Sequence, residues 1–317
     1  MSVKIGEHEG WGEASPLPGL SRETLDEVHE ELLKLQTNTE DLPSKIEEVG
    51  PWVEEHCQTA AGQHAVATAI LDGMGKSTNK PISILLNQEA HPTIPISHLY
   101  TDDERLVQST RRGTQVVKIK VGFESIDSDV ARVQRIRDSL APEVSIRVDA
   151  NGAWTEEQAA EAIHRMAPLG VHSMEEPVGG NNLEAMARLR GRGIQIALDE
   201  SVRSPLDLEQ IIALKAADAI VVKPMLIGTP MRAMEMMRTA SEAHLGIWVT
   251  TTIDGAVGRM MAIHLAAAAP TKRLEACGLN TASWLREDIG QTPEMSGGHL
   301  DSPKASGLGI TVGIGCS

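Results

Sequence analysis

Charged residues stand at the ends of several short runs that are rich in valine and isoleucine, where a buried strand would be apolar throughout. In chain order these residues are Lys118, Lys120, Asp149, Glu175, Asp199 and Lys223. Removing an isolated charge from water is costly, so each of them alone could be a solvated loop residue. Six in the same position on five consecutive predicted strands instead indicate an active site, which in a parallel barrel lies at the carboxyl ends of the strands.

Three of the six are carboxylates on adjacent predicted strands. Asp149, Glu175 and Asp199 converge if those strands form a parallel barrel. Oxygen ligands without sulfur or nitrogen suit a hard divalent cation, which we expect to be Mg²⁺, with Mn²⁺ as the alternative. We therefore expect these three residues to be metal ligands.

The other three are lysines that flank the carboxylates. Lys118 and Lys120 are two residues apart and face the same side of one strand, whereas Lys223 ends a strand beyond the carboxylates. A proton next to a carboxylate is very weakly acidic, and a divalent cation stabilises the enolate that its removal leaves. The like charge of Lys118 lowers the pKa of Lys120 and favours its basic form. The pattern predicts that all three are catalytic, in proton abstraction from a small-molecule carboxylate.

Residues near these six are candidates for substrate binding or for supporting contacts. Asn151 lies two positions after a predicted ligand and could bind a ligand, but the sequence DANG is equally typical of a turn. Thr251 and Thr252 end the seventh predicted strand, where they could contact the substrate carboxylate or simply pack as β-branched residues do. Glu176 and Glu200 should point away from the site and pair with lysines around it.

Eight apolar runs alternate with polar helical segments from residue 93 onward. They cover residues 93–100, 116–122, 145–151, 171–177, 195–201, 219–225, 246–252 and 273–279. Their spacing of about 22 to 29 residues is too long for hairpins and is typical of a parallel (β/α)₈-type barrel. A doubly wound open sheet is the alternative, but no GxGxxG or P-loop motif supports it.

Three regions follow from this pattern. Residues 1–92 are expected to form a capping region, residues 93–290 the barrel, and residues 291–317 a Gly-rich segment that returns to the cap. Helices are predicted in the cap from about residue 22 to residue 36 and from residue 59 to residue 74.

Residues at the ends of these two helices suggest how each is terminated. Ser21 or Thr24 could cap the amino terminus of the first helix. Gly73 or Gly75 could end the second helix, because glycine is favoured just after the last helical residue.

Composition restricts the class of partner. The 29 basic and 44 acidic residues give a formal net charge of −15, which repels nucleic acid and anionic membranes. Cys57, Cys277 and Cys316 show no paired spacing, so neither disulfides nor a zinc site are predicted. The first residues show no apolar signal core, and no apolar run is long enough to span a membrane. We predict a cytoplasmic protein with no nucleic-acid or membrane partner, and a single chain does not reveal the oligomeric state.

The charged motifs together resemble those of the enolase superfamily, in its muconate-lactonizing subgroup. The matching motifs are the KxK that ends at Lys120, the Asp of VDANG, the first Glu of MEEP, the Asp of LDES and the Lys of VVKP. They occur in the expected order and cover the whole predicted barrel. The resemblance implies an α/β fold, a modified TIM barrel of the (β/α)₇β type with a small α+β capping domain, and a bound Mg²⁺.

Three further stretches resemble the o-succinylbenzoate synthases of menaquinone biosynthesis within that subgroup. They are GWGEASPLPG (10–19), TTTIDGAVGRMMAIHLAAA (250–268) and ACGLNTASWLREDI (276–289). The resemblance implies a dehydration in which Lys120 moves the proton and Lys223 stabilises the enolate. Dipeptide epimerases of the subgroup carry Asp-x-Asp at the end of the eighth strand, where this chain has Glu275 followed by Ala-Cys-Gly.

The resemblance also raises a question about the cap. Relatives carry a longer segment before the GWGEA motif, whereas this sequence has nine residues there. We therefore expect a shortened, loosely held cap that weakens substrate binding more than metal binding. Two other functions stay open: an N-acylamino acid racemase or related epimerase, in which both lysines exchange protons, and a non-catalytic barrel with a degraded cap.

Overall fold

The computed structural model describes residues 1–35, 42–100, 113–270 and 272–313 of the 317-residue chain. None of the helices in these ranges combines the length and the apolar character needed to cross a bilayer. Two layers are visible in the described part of the chain: a small α+β cap near the amino terminus and a sheet of parallel strands surrounded by helices.

The cap is built around one buried helix. Its elements are β1 (Ser2–Ile5), β2 (His8–Trp11), α1 (Leu25–Leu35), α2 (Ile46–His56), α3 (Ala60–Ser77) and α4 (Ile82–Leu86). The strands β1 and β2 form an antiparallel hairpin that packs on α3. Because α3 consists largely of small residues and is buried from Ala61 to Gly75, the hairpin, α2 and a short barrel helix at Pro224–Ile227 can all approach it closely.

The predicted caps of the two cap helices are partly correct. Thr24 and Glu27 form a reciprocal capping box, in which the Thr24 hydroxyl accepts a bond from the Glu27 N–H and the Glu27 carboxylate accepts one from the Thr24 N–H. Ser21 is not the cap, because its hydroxyl accepts a bond from the N–H of Leu17. Thr59 caps α3 by accepting a bond from the N–H of Gly62.

The prediction that Gly73 or Gly75 ends α3 was wrong, since the helix continues to Ser77. A Cβ on Gly75 would lie 2.7 Å from the Cα of Gly307. Glycine is therefore needed at position 75 because the backbone of Gly307 lies close to it, and not because the helix ends there. A glycine near the end of a predicted helix is misleading in this case.

Barrel strands and helices alternate through the rest of the chain. The strands are β3 (Thr93–Pro95), β4 (Ser97–Leu99), β5 (Val116–Lys120), β6 (Ser145–Asp149), β7 (Val171–Glu175), β8 (Gln195–Leu198), β9 (Ala219–Val222), β10 (Gly246–Val249) and β11 (His299–Asp301). The helices are α5 (Ile126–Ser139), α6 (Glu156–Met166), α7 (Leu183–Leu189), α8 (Pro205–Leu214), α9 (Pro224–Ile227), α10 (Pro230–Glu242) and α11 (Ala256–Ala268), with 3₁₀ turns at Ala167–Leu169 and Ala282–Trp284. Strands β4 to β10 are parallel and lie side by side in chain order, which confirms the predicted barrel class.

Two of the eight predicted strands differ from expectation. The run 93–100 is divided, because β3 pairs antiparallel with β11 while β4 pairs parallel with β5. The run 273–279 forms isolated bridges in place of a continuous strand: Leu274 pairs with Ile247, and Cys277 pairs with Ile96. This segment bonds first to the strand at one end of the sheet and then to the chain beside the other end, and so it closes the barrel. Its pairing is too irregular to form a continuous strand with either neighbour.

The segment after β11 returns to the cap. The N–H of Gly307 donates to the carbonyl of Lys80, and the carbonyl of Gly307 accepts from the N–H of Ile82. The N–H of Leu308 donates to the carboxylate of Asp72 on α3 at 2.7 Å. These bonds join the carboxyl-terminal part of the described chain to the helix on which the cap is built.

Two of the three cysteines are buried. Cys57 lies beneath the cap helices and Cys277 in the closing segment of the barrel. Burial raises the pKa of each thiol to about 12, so neither is a reactive thiolate at neutral pH. Cys316 lies outside the described residues.

The close approach at Gly75 gives a test of the cap packing. Gly75→Ala should lower the free energy of unfolding by about 1–3 kcal/mol, because the added methyl group overpacks the contact with Gly307. Elsewhere in a helix the same change usually stabilises by about 0.5–1 kcal/mol. Urea denaturation would measure the difference.

Gly50→Ala is the matched control. Gly50 also lies inside a helix, but a Cβ there would be 3.5 Å from its nearest neighbour, a side-chain atom of Met231, which is ordinary contact. Its free energy of unfolding should stay within about 1 kcal/mol of that of the unmodified protein. Alanine stabilises a helix more than glycine does, but Pro51 restricts the backbone of the residue before it and offsets this gain. Equal stability of the two variants would contradict the packing described at Gly75.

Candidate active site

A cavity of about 370 Å³ opens at the carboxyl ends of the parallel strands. All six charged residues singled out from the sequence line it, and so do Asn151, Thr251 and Thr252. The strand order places β5 on one side of β6, β7 and β8, and β9 on the other. The three carboxylates therefore lie between the lysines of β5 and the lysine that follows β9.

The lysines and carboxylates form one connected network of ion pairs. The Nζ of Lys118 lies 2.8 Å from a carboxylate oxygen of Asp149 and 2.8 Å from one of Glu175. The Nζ of Lys120 lies 2.7 Å from Asp149. On the other side, the Nζ of Lys223 donates to Asp199. Each carboxylate is thus held by at least one lysine.

Burial controls the electrostatics of this network. The carboxylate residues are at most 4% exposed. Burial, followed by repulsion from Asp149, raises the pKa of Glu175 to about 8. Burial would also raise the pKa of Asp149, but Lys118 and Lys120 lower it below its ordinary value. The pKa of Lys118 is raised: burial opposes this, but Glu175 and Asp149 outweigh it.

This donor set fits a divalent cation. No group of three or more His, Cys, Asp and Glu side chains within the described ranges is already positioned to hold a metal ion, since lysine ammonium groups lie between the carboxylates. The three carboxylates are nevertheless almost fully buried in the same cavity, and a bound cation would offset their negative charges. Asp149, Glu175 and Asp199 are the residues that could hold Mg²⁺.

Asn151 forms the turn that was one of its two predicted roles, and its side chain also joins the network of the cavity. It occupies a turn with a positive φ of 46°, a conformation that asparagine tolerates well. Its side-chain oxygen also accepts a bond from the Nζ of Lys120 at 2.6 Å, and its amide nitrogen donates to Glu200 at 2.8 Å. Asn151 thus holds the lysine on the cavity side of β5.

The predictions for Glu176 and Glu200 were partly wrong. Glu176 does not line the cavity, but its carboxylate pairs with no lysine of the described ranges: it accepts bonds from the N–H of Asp199 at 2.8 Å and from the hydroxyl of Ser201. Burial raises its pKa to about 7. Glu200 lines the cavity instead of pointing away, and its side chain accepts a bond from Asn151. The assumption that neighbouring residues alternate in direction fails for Glu200, because it lies beyond the end of the regular strand β8.

The threonines after β10 differ in what their hydroxyls contact. The hydroxyl of Thr251 bonds to that of Thr281 at 2.9 Å, and the hydroxyl of Thr252 donates to Asp254. The hydroxyl of Thr250 is buried and has no hydrogen-bond partner among the described residues. Thr250 also lines the cavity, but its hydroxyl is not exposed there.

Arg147 on β6 is a cavity residue that the sequence interpretation missed. Its guanidinium lies 3.6 Å from the centre of the Trp248 ring and is 2.9 Å from a carboxylate oxygen of Glu275. The indole N–H of Trp248 donates to the same oxygen at 2.8 Å. A signal was available, because Arg147 interrupts an apolar run two positions before Asp149 and so faces the same side of the strand.

An apolar rim was also missed. Leu17, Leu20 and Trp284 line the mouth of the cavity, and Trp284 is 54% exposed. All three lie outside the regular barrel strands, in segments whose path periodicity does not predict. The cavity therefore has a charged floor and a partly apolar entrance.

Comparisons with known proteins give the family and the fold of the chain. The sequence profile of the family described as Enolase C-terminal domain-like matches residues 102–313. An N-succinyl-L-Arg/Lys racemase of Bacillus cereus is 27% identical over 261 residues, which cover 78% of this chain and 68% of the racemase. An o-succinylbenzoate synthase of Escherichia coli O157:H7 is 28% identical over 276 residues, which cover 84% of this chain and 78% of the synthase.

The solved structure of a muconate lactonizing enzyme from Pseudomonas putida has the same fold. The two structures superpose with a TM-score of 0.89 over 98% of this chain and 91% of the other, at 24% sequence identity. The superposition confirms the predicted barrel with a small cap. The relatives carry out different reactions, so similarity at this level does not select one of them.

Cation binding is the first test of the site. Calorimetric titration with Mg²⁺ should reveal one binding site. Asp199→Asn should lower the affinity for Mg²⁺ about 100-fold or more, because loss of a residue that only contacts a ligand typically costs about 10–100-fold. Glu200→Gln makes the same charge change one residue away and should bind Mg²⁺ with little loss, since Glu200 bonds to Asn151. If Asp199→Asn binds as tightly as the control, Asp199 is not a ligand.

Proposed function

This chain belongs to the enolase superfamily, in its muconate-lactonizing subgroup, and from that premise we propose that it is an o-succinylbenzoate synthase. The proposed reaction is the dehydration of 2-succinyl-6-hydroxy-2,4-cyclohexadiene-1-carboxylate to o-succinylbenzoate, a step of menaquinone biosynthesis. The observation that carries the proposal is the placement of Lys120 and Lys223 on opposite sides of three buried carboxylates.

The lysines take different roles in this reaction. Lys120 acts as the base and removes the proton from the carbon next to the carboxylate, and the electron pair of the broken C–H bond moves toward that carboxylate. The C–O bond to the hydroxyl group then breaks, and the Lys120 ammonium returns the proton to the departing oxygen, which leaves as water. Asp149, Glu175 and Asp199 would hold the divalent cation, which would supply positive charge for the enolate when bound.

Two neighbouring residues support these roles. Lys223 approaches from the opposite side and stabilises the enolate through its charge. Asn151 orients Lys120 through the 2.6 Å bond to its Nζ. The apolar rim of the cavity suits the ring and the methylene groups of the substrate.

The end of the eighth barrel segment favours this function over dipeptide epimerisation. An epimerase of this subgroup presents two aspartates there, whereas this chain has Glu275 and Cys277 two positions apart. Glu275 is engaged by Arg147 and Trp248, and Cys277 is buried with a pKa raised to about 12. Neither side chain is suited to hold the ammonium group of a dipeptide.

An N-acylamino acid racemase is the second candidate. The similarity to the Bacillus cereus racemase favours it, because the same pair of opposed lysines could remove and return a proton on opposite faces. A non-catalytic barrel is the alternative outside enzymes. Location in the cytoplasm and the absence of nucleic-acid and membrane partners remain part of the proposal.

Turnover in deuterium oxide, followed by NMR, separates these three functions. A synthase converts the cyclohexadiene carboxylate to the aromatic product with loss of water. A racemase incorporates deuterium next to the carboxylate of N-succinyl amino acids and inverts that carbon without losing water. If the Mg²⁺-loaded protein does neither with both compounds, the non-catalytic barrel is the better description.

Charge-conserving substitutions separate the roles of the two lysines. Lys223→Arg should retain measurable dehydration, because arginine keeps the positive charge. Lys120→Arg should retain none, because arginine cannot act as a base at neutral pH, and loss of a general base typically costs about 10²–10⁴-fold in rate. Steady-state assays would compare them, with both alanine variants as controls for side-chain loss. Equal residual activity in the two arginine variants would mean that the base is assigned to the wrong strand.

A further inference from the structure

The motif GWGEASPLPG joins the cap to the barrel through Glu13 and through Ser15, whose N–H donates to the sulfur of Met225 at 3.4 Å. Residues 10–12 belong to the cap: a Cβ on Gly12 would lie 1.8 Å from the carbonyl oxygen of Ala65, so the backbone lies directly on α3. The N–H of Trp11 also donates to Asp72 of that helix at 2.9 Å. Glu13 follows Gly12 along the chain, and its side chain contacts the barrel.

The Glu13 carboxylate binds the start of α11. One of its oxygens accepts a bond from the N–H of Gly255 at 2.5 Å, and the other accepts one from the N–H of Gly258 at 2.9 Å. A Cβ on Gly255 would lie 2.7 Å from this carboxylate, so the glycine leaves room for it. Ser15 donates its hydroxyl to Glu13 and fixes the carboxylate further. A negative charge here also interacts favourably with the helix dipole.

A second contact holds the other end of the same segment. The guanidinium of Arg203 donates to the carbonyl of Leu20 at 3.2 Å and to the carbonyl of Glu200 at 3.0 Å. The segment 13–20 is therefore fixed at one end to the loop after β10 and at the other to the loop after β8. Between these two points it places Leu17 and Leu20 in the lining of the cavity.

We propose that Glu13 is a positioning residue that holds the Leu17–Leu20 wall against the cavity and thereby sets substrate affinity, although Glu13 itself does not line the cavity. The effect on affinity rests on the proposed function, in that the cavity binds the substrate. Glu13 has no hydrogen bond or ion pair with the described lysines and carboxylates of the floor. Its loss should therefore affect binding and spare the chemical step.

Three variants test this proposal. Glu13→Ala removes every contact of the carboxylate, and Glu13→Gln keeps one oxygen acceptor for the two backbone N–H groups. Glu7→Gln is the control, because Glu7 is an exposed residue in the turn before β2 and makes the same charge change nearby. All three are made in the full chain and compared with the unmodified protein loaded with Mg²⁺.

Kinetics give the first readout. With the compound that the unmodified protein turns over, KM should rise at least about tenfold in Glu13→Ala, while kcat stays within about threefold, a pattern expected when uniform binding is lost. Glu13→Gln should lie between Glu13→Ala and Glu7→Gln. A fall in kcat with unchanged KM, or no change in either, would overturn the proposal.

Hydrogen exchange gives a readout that does not depend on the substrate. Peptides covering residues 14–21 and 254–260 should exchange faster in Glu13→Ala than in Glu7→Gln, while peptides of β5 and β6 exchange as in the unmodified protein. This result would support the tether even if the proposed reaction is not observed. Unchanged exchange in both peptides would overturn it, and so would accelerated exchange throughout the barrel, since Glu13 would then act on global stability.

Discussion

Three carboxylates that are almost fully buried in one barrel mouth repel one another, and the rest of the site is arranged around that repulsion. Lys118 bridges two of them and Lys223 pairs with the third. Removing one member of such a network leaves an uncompensated buried charge, which is far more costly than losing a surface ion pair. Burial, followed by repulsion from Asp149, raises the pKa of Glu175 to about 8 even beside a lysine.

Strand register is what places these charges together. Lys120 is paired with Asp149 across β5 and β6, and Asp149 with Glu175 across β6 and β7. Glu176 then fixes the next strand end, because its carboxylate binds the N–H of Asp199. A shift of one residue in any of these pairings would turn one of these charged side chains toward the helices. The chemistry therefore depends on backbone pairing that is itself set by apolar strands.

The sequence was informative where periodicity and position determine structure. The six charged strand ends and the parallel barrel were predictable, because a charge at the end of a buried strand is costly unless a site at the barrel mouth uses it. Prediction failed where tertiary contacts override a local pattern. Gly75 looks like a helix end but permits the approach of Gly307, and the segment near Cys277 bonds to two neighbours in turn. The turn of Glu200 into the cavity depends on Asn151, which lies 49 residues earlier.

The charge of the cavity differs from that of the whole protein. Four cationic and four anionic side chains line it, whereas the protein carries a formal net charge of −15. One of the cations, Arg147, is already paired with Glu275. A divalent cation would add two positive charges to this lining, while the surrounding field stays negative. If Asp149, Glu175 and Asp199 hold that cation, as we propose, the same three residues would also favour the entry of an anionic carboxylate.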